Sequence, residues 1–173
     1  MTGRIVVFTG DGKGKTTAAL GMAVRTAGHG GRVLMIQFIK GDSNTGELVC
    51  IDSLDNIEIR QAGRGFLSKR NGHTMPEHAE AAAKGLEMAR DAMASGLYAL
   101  VILDEIHIAV SKGLLPESVL LDALEARAPG THVVLTGRNA PNALLDLADT
   151  VTEMRCAKHA FQKGVPATRG VEF

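Results

Sequence analysis

The chain has 173 residues, which is enough for one domain with a full core and too few for two. Its 19 Lys and Arg balance 19 Asp and Glu, and aromatic residues make up only 3% of the chain, with no Trp. A chain with neither a global basic field nor a stacking surface is not expected to bind nucleic acid or a membrane. It has no apolar run long enough to span a bilayer and no leader after Met1, so we expect one cytoplasmic domain over residues 1–173.

Strand-like runs alternate along the chain with Ala- and Leu-rich helical stretches. This alternation predicts an α/β fold in which a mostly parallel central sheet is flanked by helices on both faces. The predicted strands are residues 4–9, 32–38, 57–61, 99–103, 132–136 and 150–154. The predicted helices are residues 16–27, 76–97, 117–125 and 142–147. We expect a long loop at residues 63–74, and a tail from Lys158 that forms a loop with a short edge strand.

The first predicted strand runs into a glycine-rich segment, TGDGKGKTT, at residues 9–17. Glycines between a strand and a helix let successive backbone N–H groups face phosphate oxygens, so this segment predicts a nucleoside triphosphate site. Lys15 would add a positive charge, and the Thr16 hydroxyl is a ligand for Mg²⁺. Thr9, and not a glycine, occupies the first position of the G-x-x-x-x-G-K-[ST] pattern. The first glycine is Gly10, so the loop is one residue shorter than the pattern requires. Lys13 would either stabilise a departing polyphosphate or be solvated.

Two acidic residues, Asp104 and Glu105, follow four aliphatic residues at 100–103. A buried strand that delivers carboxylates at its carboxyl end beside a phosphate loop predicts a metal site. Asp104 would hold Mg²⁺, or Mn²⁺ as an alternative, and Glu105 would share the ion or orient a reactant. With His107 these residues also spell the DExH box of helicases. We reject a helicase function, because a helicase needs a second motor domain and a bound nucleic acid, and we expect neither for this neutral single domain. We interpret His107 as a residue at a helix start or behind the site side chains, and not as a catalytic group.

Other side chains follow strands at the same predicted edge of the sheet. Arg138, next to Asn139, is a candidate sensor of phosphate or substrate, or else a surface cation. Lys40 would approach a bound ligand or be solvated. Phe66 is a lone aromatic residue in the long loop and would form a small anchoring contact or a lid over a flat ligand. The remote pair Cys50 and Cys156 predicts reduced, structural thiols.

Taken together, these segments resemble the P-loop type ATP:corrinoid adenosyltransferases, which form the cobalt–carbon bond of coenzyme B12. The resemblance implies a three-layer P-loop fold of the RecA-like type. It also implies transfer of the 5′-deoxyadenosyl group of ATP to Co(I) of a corrinoid, with release of triphosphate. The matching segments are TGDGKGKTTAALG (9–21), VLMIQFIKG (33–41), VILDEIH (101–107), VVLTGRNAP (133–141) and ADTVTEMRCAKHAFQKGV (148–165).

The resemblance also implies roles for individual residues of this chain. Catalytic roles are implied for Lys15, Thr16, Glu105 and Arg138, and metal binding for Thr16, Asp104 and Glu105. In this family ATP lies in the loop in the reverse sense to kinases, so that the ribose C5′ faces the corrin. Contacts with ATP or the corrinoid are implied for Thr9, Gly10, Asp11, Gly12, Lys13, Gly14, Lys15, Thr16, Thr17, Phe66, Arg138 and Asn139.

The resemblance further implies a homodimer and an electron donor, either reduced flavin or a flavodoxin-like protein. Family members exclude the axial cobalt ligand with aromatic residues. Phe66 matches one of these residues, but Ser68 stands where well-known members have a tryptophan. Two other functions stay open at this point, a P-loop nucleoside or small-molecule kinase and a non-catalytic ATP-binding regulatory module.

Overall fold

The computed structural model of the protein describes residues 2–41, 45–51, 53–65 and 72–171. Within them, six strands form one sheet in the order β3-β2-β4-β5-β1-β6, and all neighbouring strands pair in parallel. The strands are β1 (Ile5–Thr9), β2 (Val33–Gln37), β3 (Ile57–Gln61), β4 (Leu100–Asp104), β5 (His132–Thr136) and β6 (Thr150–Glu153). Their carboxyl ends therefore lie along one edge of the sheet.

Helices connect these strands, as parallel pairing requires. The longest, α3, begins with a capping box in which Thr74 and Glu77 bond each other's backbone N–H groups. The helices are α1 (Lys15–Gly28), α2 (Gly46–Ile51), α3 (Met75–Ser95), α4 (Ile106–Ser111), α5 (Glu117–Glu125) and α6 (Asn142–Leu147), followed by a short 3₁₀ helix at Ala160–Lys163.

Two apolar clusters cover the two faces of the sheet, because successive strand side chains point to opposite sides. On one face, Ala19 and Ala23 of α1 and Ile51 of α2 pack against strand residues such as Met35 and Ile102. On the other face, α3 to α6 pack against the alternate strand residues. The protein thus has three layers, helices on each side of a parallel sheet, and the predicted α/β fold class is confirmed.

The structure corrects several details of the predicted elements. The segment of α2 was not predicted as a helix, whereas α4 begins at Ile106, which confirms that His107 lies at a helix start. The described part of the tail contains a 3₁₀ helix and no edge strand. Cys50 and Cys156 are free, as the prediction of reduced thiols requires, but both are exposed, so the prediction of a structural role is wrong. Phe66 lies outside the described residues, and so does Ser68. Among the helices that are described, none combines the length and the apolar character needed to cross a bilayer.

Candidate active site

The phosphate loop, the acidic pair and the end of β5 meet at the carboxyl edge of the sheet. This follows from the strand order, because β5 lies between β1 and β4. They surround a cavity of about 630 Å³. Its lining from the predicted site comprises Asp11, Gly12, Lys13, Gly14, Lys15, Thr16, Thr17, Glu105 and Arg138.

The phosphate loop is tied to the segment that follows β6. Gly12 donates its backbone N–H to the Met154 carbonyl at 2.6 Å, and the Met154 N–H donates to the Thr9 carbonyl at 2.9 Å. Gly10 has a φ of 93°, and a Cβ built on it would lie 2.4 Å from the Met154 oxygen. Only glycine tolerates this combination of a left-handed backbone and close approach. The tight first turn of the loop is therefore braced by the backbone at residue 154.

Lys15 is folded back onto its own loop. Its Nζ donates hydrogen bonds to the carbonyl oxygens of Gly10, at 2.6 Å, and Gly12, at 2.7 Å. Burial lowers the pKa of Lys15, and the nearby positive charge of Arg138 lowers it further. The ammonium group already lines the cavity, so it can exchange a carbonyl partner for a phosphate oxygen without crossing the site.

Asp104 is fully buried and is held by two hydroxyl groups. Its Oδ1 accepts hydrogen bonds from Thr16, at 2.8 Å, and from Thr136, at 2.7 Å. Gln37 reaches the other carboxylate oxygen at 3.5 Å. Burial raises the pKa of Asp104, and these hydrogen bonds oppose the shift. Because Thr16 gives its hydroxyl proton to Asp104, the lone pairs of its oxygen remain available to a cation in the cavity.

Glu105 has a left-handed backbone with a φ of 62°, which is uncommon for a residue other than glycine. Its backbone N–H donates to the Thr136 hydroxyl at 2.9 Å, and its side chain lines the cavity. Glu105 Oε2 is buried and has no hydrogen-bond partner among the described residues. Burial, assisted by the charge of Asp104, raises the pKa of Glu105 to about 7.

These oxygens fit a hard divalent cation. The donors that reach the cavity are the Thr16 hydroxyl and the unpartnered Glu105 carboxylate, with Asp104 bonded to Thr16 behind them. Mg²⁺ prefers this oxygen chemistry and usually takes its remaining ligands from water and phosphate. Within the described ranges there is no group of three or more His, Cys, Asp or Glu that could hold a metal. A cation here would therefore depend on phosphate oxygens as well.

His107 is buried in α4 behind the acidic pair. Neither of its ring nitrogens makes a well-formed hydrogen bond within the described part of the chain. Burial lowers the pKa of His107 to about 4, and a backbone interaction with Gly137 opposes the shift only in part. The imidazole does not line the cavity lined by Glu105 and Arg138, so the structure gives it a packing position.

Charged side chains at the mouth of the cavity are paired. Arg138 Nε lies 3.9 Å from Asp11 Oδ1, and both side chains are largely exposed. Lys40 forms an ion pair with Glu47 of α2 at 3.0 Å. A bound polyphosphate would have to compete with Asp11 for Arg138 and with Glu47 for Lys40. The pair of Arg138 and Asp11 is exposed to water, which weakens it.

The tail also reaches the cavity. Lys13 Nζ donates to the Val171 carbonyl at 2.5 Å, and both Val171 and His159 line the cavity. This contact was not among the predicted alternatives for Lys13. Three predicted contacts, Thr9, Gly10 and Asn139, lie outside the lining of this cavity.

Thr9 and Asn139 serve the local backbone instead. Thr9 Oγ1 accepts the Ala140 N–H at 3.3 Å, and Asn139 has a φ of 56° in the turn after β5.

Some residues of the site were not singled out from the sequence, namely Gln37, Thr136, Met154, His159 and Val171. Thr136 could have been identified from the sequence, because a polar residue at the end of a buried strand needs a hydrogen-bond partner. Met154 could not, since its contact with the loop is made by its backbone.

Comparison with known proteins identifies the family of this chain. The family model described as "ATP:corrinoid adenosyltransferase BtuR/CobO/CobP" matches residues 1–173. The corrinoid adenosyltransferase of Pseudomonas aeruginosa is 40% identical over 99% of this chain and 84% of its own length. Corrinoid adenosyltransferase CobA of Salmonella typhimurium is also 40% identical, over 99% of this chain and 86% of its own length.

The fold has a more distant likeness among solved structures. The flagellar accessory protein FlaH from Methanocaldococcus jannaschii superposes with a TM-score of 0.60 over 88% of this chain and 71% of FlaH. The two sequences are only 11% identical, so this likeness concerns the fold alone. The family model and the close relatives establish more than the fold: this chain belongs to the ATP:corrinoid adenosyltransferase family.

Proposed function

We propose that this protein transfers the 5′-deoxyadenosyl group of ATP to the Co(I) centre of a corrinoid substrate. The electron pair of Co(I) forms the new bond to the ribose C5′, and cobalt becomes formally Co(III). The C5′–O bond breaks, and its electron pair leaves with the oxygen of inorganic triphosphate. Atoms and electrons balance without another reactant.

One observation carries this proposal. The segments that match the family, the phosphate loop and the acidic pair together with Arg138, converge on a single cavity at the edge of the sheet. A full match to the family model across 173 residues and relatives of 40% identity support the same reaction. We place ATP in the reverse sense in this cavity, with C5′ toward the corrinoid.

The side chains would act by alignment and by electrostatics. No base is required, because the attacking cobalt carries no proton to remove. Lys15 and Lys13 would offset the charge of the departing triphosphate, and Arg138 would bind it at the cavity mouth. Thr16 and Glu105, with Asp104 behind them, would hold Mg²⁺, which neutralises phosphate charge when bound.

Further features are proposed from the family resemblance. We infer that the enzyme is a cytoplasmic homodimer and that reduced flavin or a flavodoxin-like protein supplies the electron that makes Co(I). Phe66 would help to exclude the axial ligand of Co(II) before reduction. Phe66→Ala should then slow the reaction that starts from Co(II) and spare the reaction of chemically reduced Co(I). Equal losses from both cobalt states would contradict this role.

The proposed reaction is tested by its phosphorus product. The protein is incubated with ATP, Mg²⁺ and chemically reduced corrinoid, and the products are separated by ion chromatography. We expect inorganic triphosphate in a one-to-one ratio with a light-sensitive alkylcobalt product. ADP in place of triphosphate would indicate a kinase, and no turnover with any corrinoid would indicate a binding module.

Lys15→Ala and Lys84→Ala provide a matched pair for this assay. Lys15 contacts the loop carbonyls inside the cavity, whereas Lys84 pairs with Glu80 on the exposed face of α3 at 2.7 Å. We expect Lys15→Ala to abolish ATP binding and triphosphate release, and Lys84→Ala to retain both.

A further inference from the structure

Thr136 joins the two acidic residues of the site through one hydroxyl group. It ends β5 and is fully buried. Its Oγ1 donates to Asp104 Oδ1 at 2.7 Å and accepts the backbone N–H of Glu105 at 2.9 Å. Neither contact is made by the backbone of β5, so both depend on the side chain at this position.

The contact with Glu105 holds an uncommon backbone conformation. At Glu105 the chain leaves β4 with a φ of 62°, and the partly buried amide at this turn needs an acceptor. The Thr136 hydroxyl supplies this acceptor. Because the turn sets the direction of the Glu105 side chain, the same contact helps to direct the carboxylate into the cavity.

The contact with Asp104 fixes the other half of the site. Asp104 Oδ1 accepts from both Thr136 and Thr16, so the carboxylate is held between a strand and the first turn of α1. The hydroxyl proton of Thr16 is thereby committed to Asp104, and its lone pairs are left to face the cavity. Loss of the Thr136 hydroxyl would loosen Asp104 and, through it, Thr16.

We propose that Thr136 is a positioning residue that sets the Thr16 and Glu105 oxygens for the cation that accompanies ATP. Thr136 also lines the cavity, but we do not assign it as a ligand of that cation, because its hydroxyl group already bonds Asp104 and the Glu105 N–H. This inference rests on the proposed function only in taking ATP as the nucleotide. Its test measures binding without corrinoid, so it can fail or succeed independently of adenosyl transfer.

The test compares three variants by equilibrium ATP binding, titrated with Mg²⁺ and repeated with the metal chelated. Thr136→Val keeps the shape and removes the hydroxyl, Thr136→Ser keeps the hydroxyl, and Thr131→Val removes a buried hydroxyl that bonds the Tyr98 carbonyl at 3.1 Å, before β5 begins. We expect Thr136→Val to raise the Mg²⁺ concentration for half-maximal ATP binding by about tenfold or more. Metal-free ATP affinity should change less than about twofold.

The controls and turnover separate positioning from folding. Thr136→Ser and Thr131→Val should bind Mg²⁺ and ATP as the parent protein does. In turnover, Thr136→Val should raise the KM for Mg²⁺ more than it lowers kcat at saturating Mg²⁺. Unchanged Mg²⁺ dependence in Thr136→Val, or equal losses with and without metal, would overturn the proposal. If Thr136→Val does not fold, Thr136→Ala takes its place in the same titration with the same outcomes.

Discussion

Gly12 donates its backbone N–H to the carbonyl oxygen of Met154 at 2.6 Å, so one amide of the phosphate loop is already occupied by protein. The contact leaves no room for a side chain, since a Cβ on Gly12 would lie 2.7 Å from that oxygen and 2.8 Å from its carbon. The shape of the loop therefore depends on the segment that follows β6. That segment is remote in sequence, and β6 lies on the opposite side of β1 from β5.

Gly12→Ala is expected to destabilise the protein and to weaken ATP binding, because the clash is with backbone atoms that cannot rotate away. The cost of such overpacking is about 1–3 kcal/mol. Gly21→Ala is the matched control, since Gly21 is an exposed residue of α1 with no atom within 4 Å of an added Cβ. It should leave binding unchanged and stabilise the helix by up to about 1 kcal/mol. Chemical denaturation and calorimetry measure both effects, and equal behaviour of the two variants would contradict the clash.

Lys13→Ala is expected to release the tail from the phosphate loop. The Lys13 ammonium donates to the Val171 carbonyl, so its removal takes away a link between the loop and the segment after the 3₁₀ helix. In the absence of ATP, trypsin should cleave at Lys163 faster in this variant than in the parent protein. Lys112→Ala, which removes an exposed lysine after α4, serves as the control. An unchanged rate of cleavage at Lys163 would show that the link does not restrain the tail.

His107 should make the free protein less stable as the pH falls. Its pKa is about 4 in the folded protein against an ordinary 6.5, so the unfolded chain takes up the proton first. The loss of stability begins below pH 6.5 and is complete near pH 4. Over this range the His107 contribution should lower the free energy of unfolding by about 3 kcal/mol. His107→Leu should remove this loss. Urea unfolding of both proteins between pH 4 and pH 8, with no metal or nucleotide added, measures the difference.

Glu105 should have the opposite effect on the same protein. Its pKa is about 7 when folded against an ordinary 4.5, so the folded protein takes up the proton first and gains stability as the pH falls from about 7 to 4.5. Asp104 acts in the same direction. Glu105→Gln should therefore lose stability toward acid pH, whereas His107→Leu should gain it. The parent protein should show a flatter profile than either variant, and parallel profiles for all three would contradict both shifts.

The surface pair of Glu80 and Lys84 should contribute little. The two groups lie 2.7 Å apart on one face of α3, but both are well exposed to water. Such exposed i,i+4 pairs contribute little to stability, because water and salt screen them. Lys84→Ala should therefore leave the free energy of unfolding nearly unchanged, and high salt should remove part of any difference. A destabilisation as large as that of Gly12→Ala would show that Lys84 has a role beyond this pair.

The sequence predicted the strands and the meeting of the phosphate loop with the acidic pair, because both follow from local patterns and from parallel pairing. The pairing of Glu80 with Lys84 likewise follows from a local pattern, their i,i+4 spacing on α3. Helix α2 could not be predicted, since its six residues are too few to show a period. The prediction of one domain over the full chain stays a prediction, as do the roles of the individual site residues.

The parts of the site that sequence reasoning missed depend on contacts between remote residues. Met154 braces the loop with its backbone oxygen, so its side-chain identity carries no trace of the contact. Thr136 matters because β5 happens to lie between the loop strand and the acid strand. The contact of Lys13 with Val171 depends on the path of the tail, which has no periodic pattern to reveal it.

The position of β1 has a consequence for biosynthesis. Of the six strands, β1 is synthesised first. Its hydrogen-bonding neighbours, β5 and β6, are the last two to be synthesised. Both edges of the nascent strand stay open for most of translation, when exposed edges invite aggregation. ATP can therefore assist folding only at the final stage, once the sheet has closed around the strand that carries its binding loop.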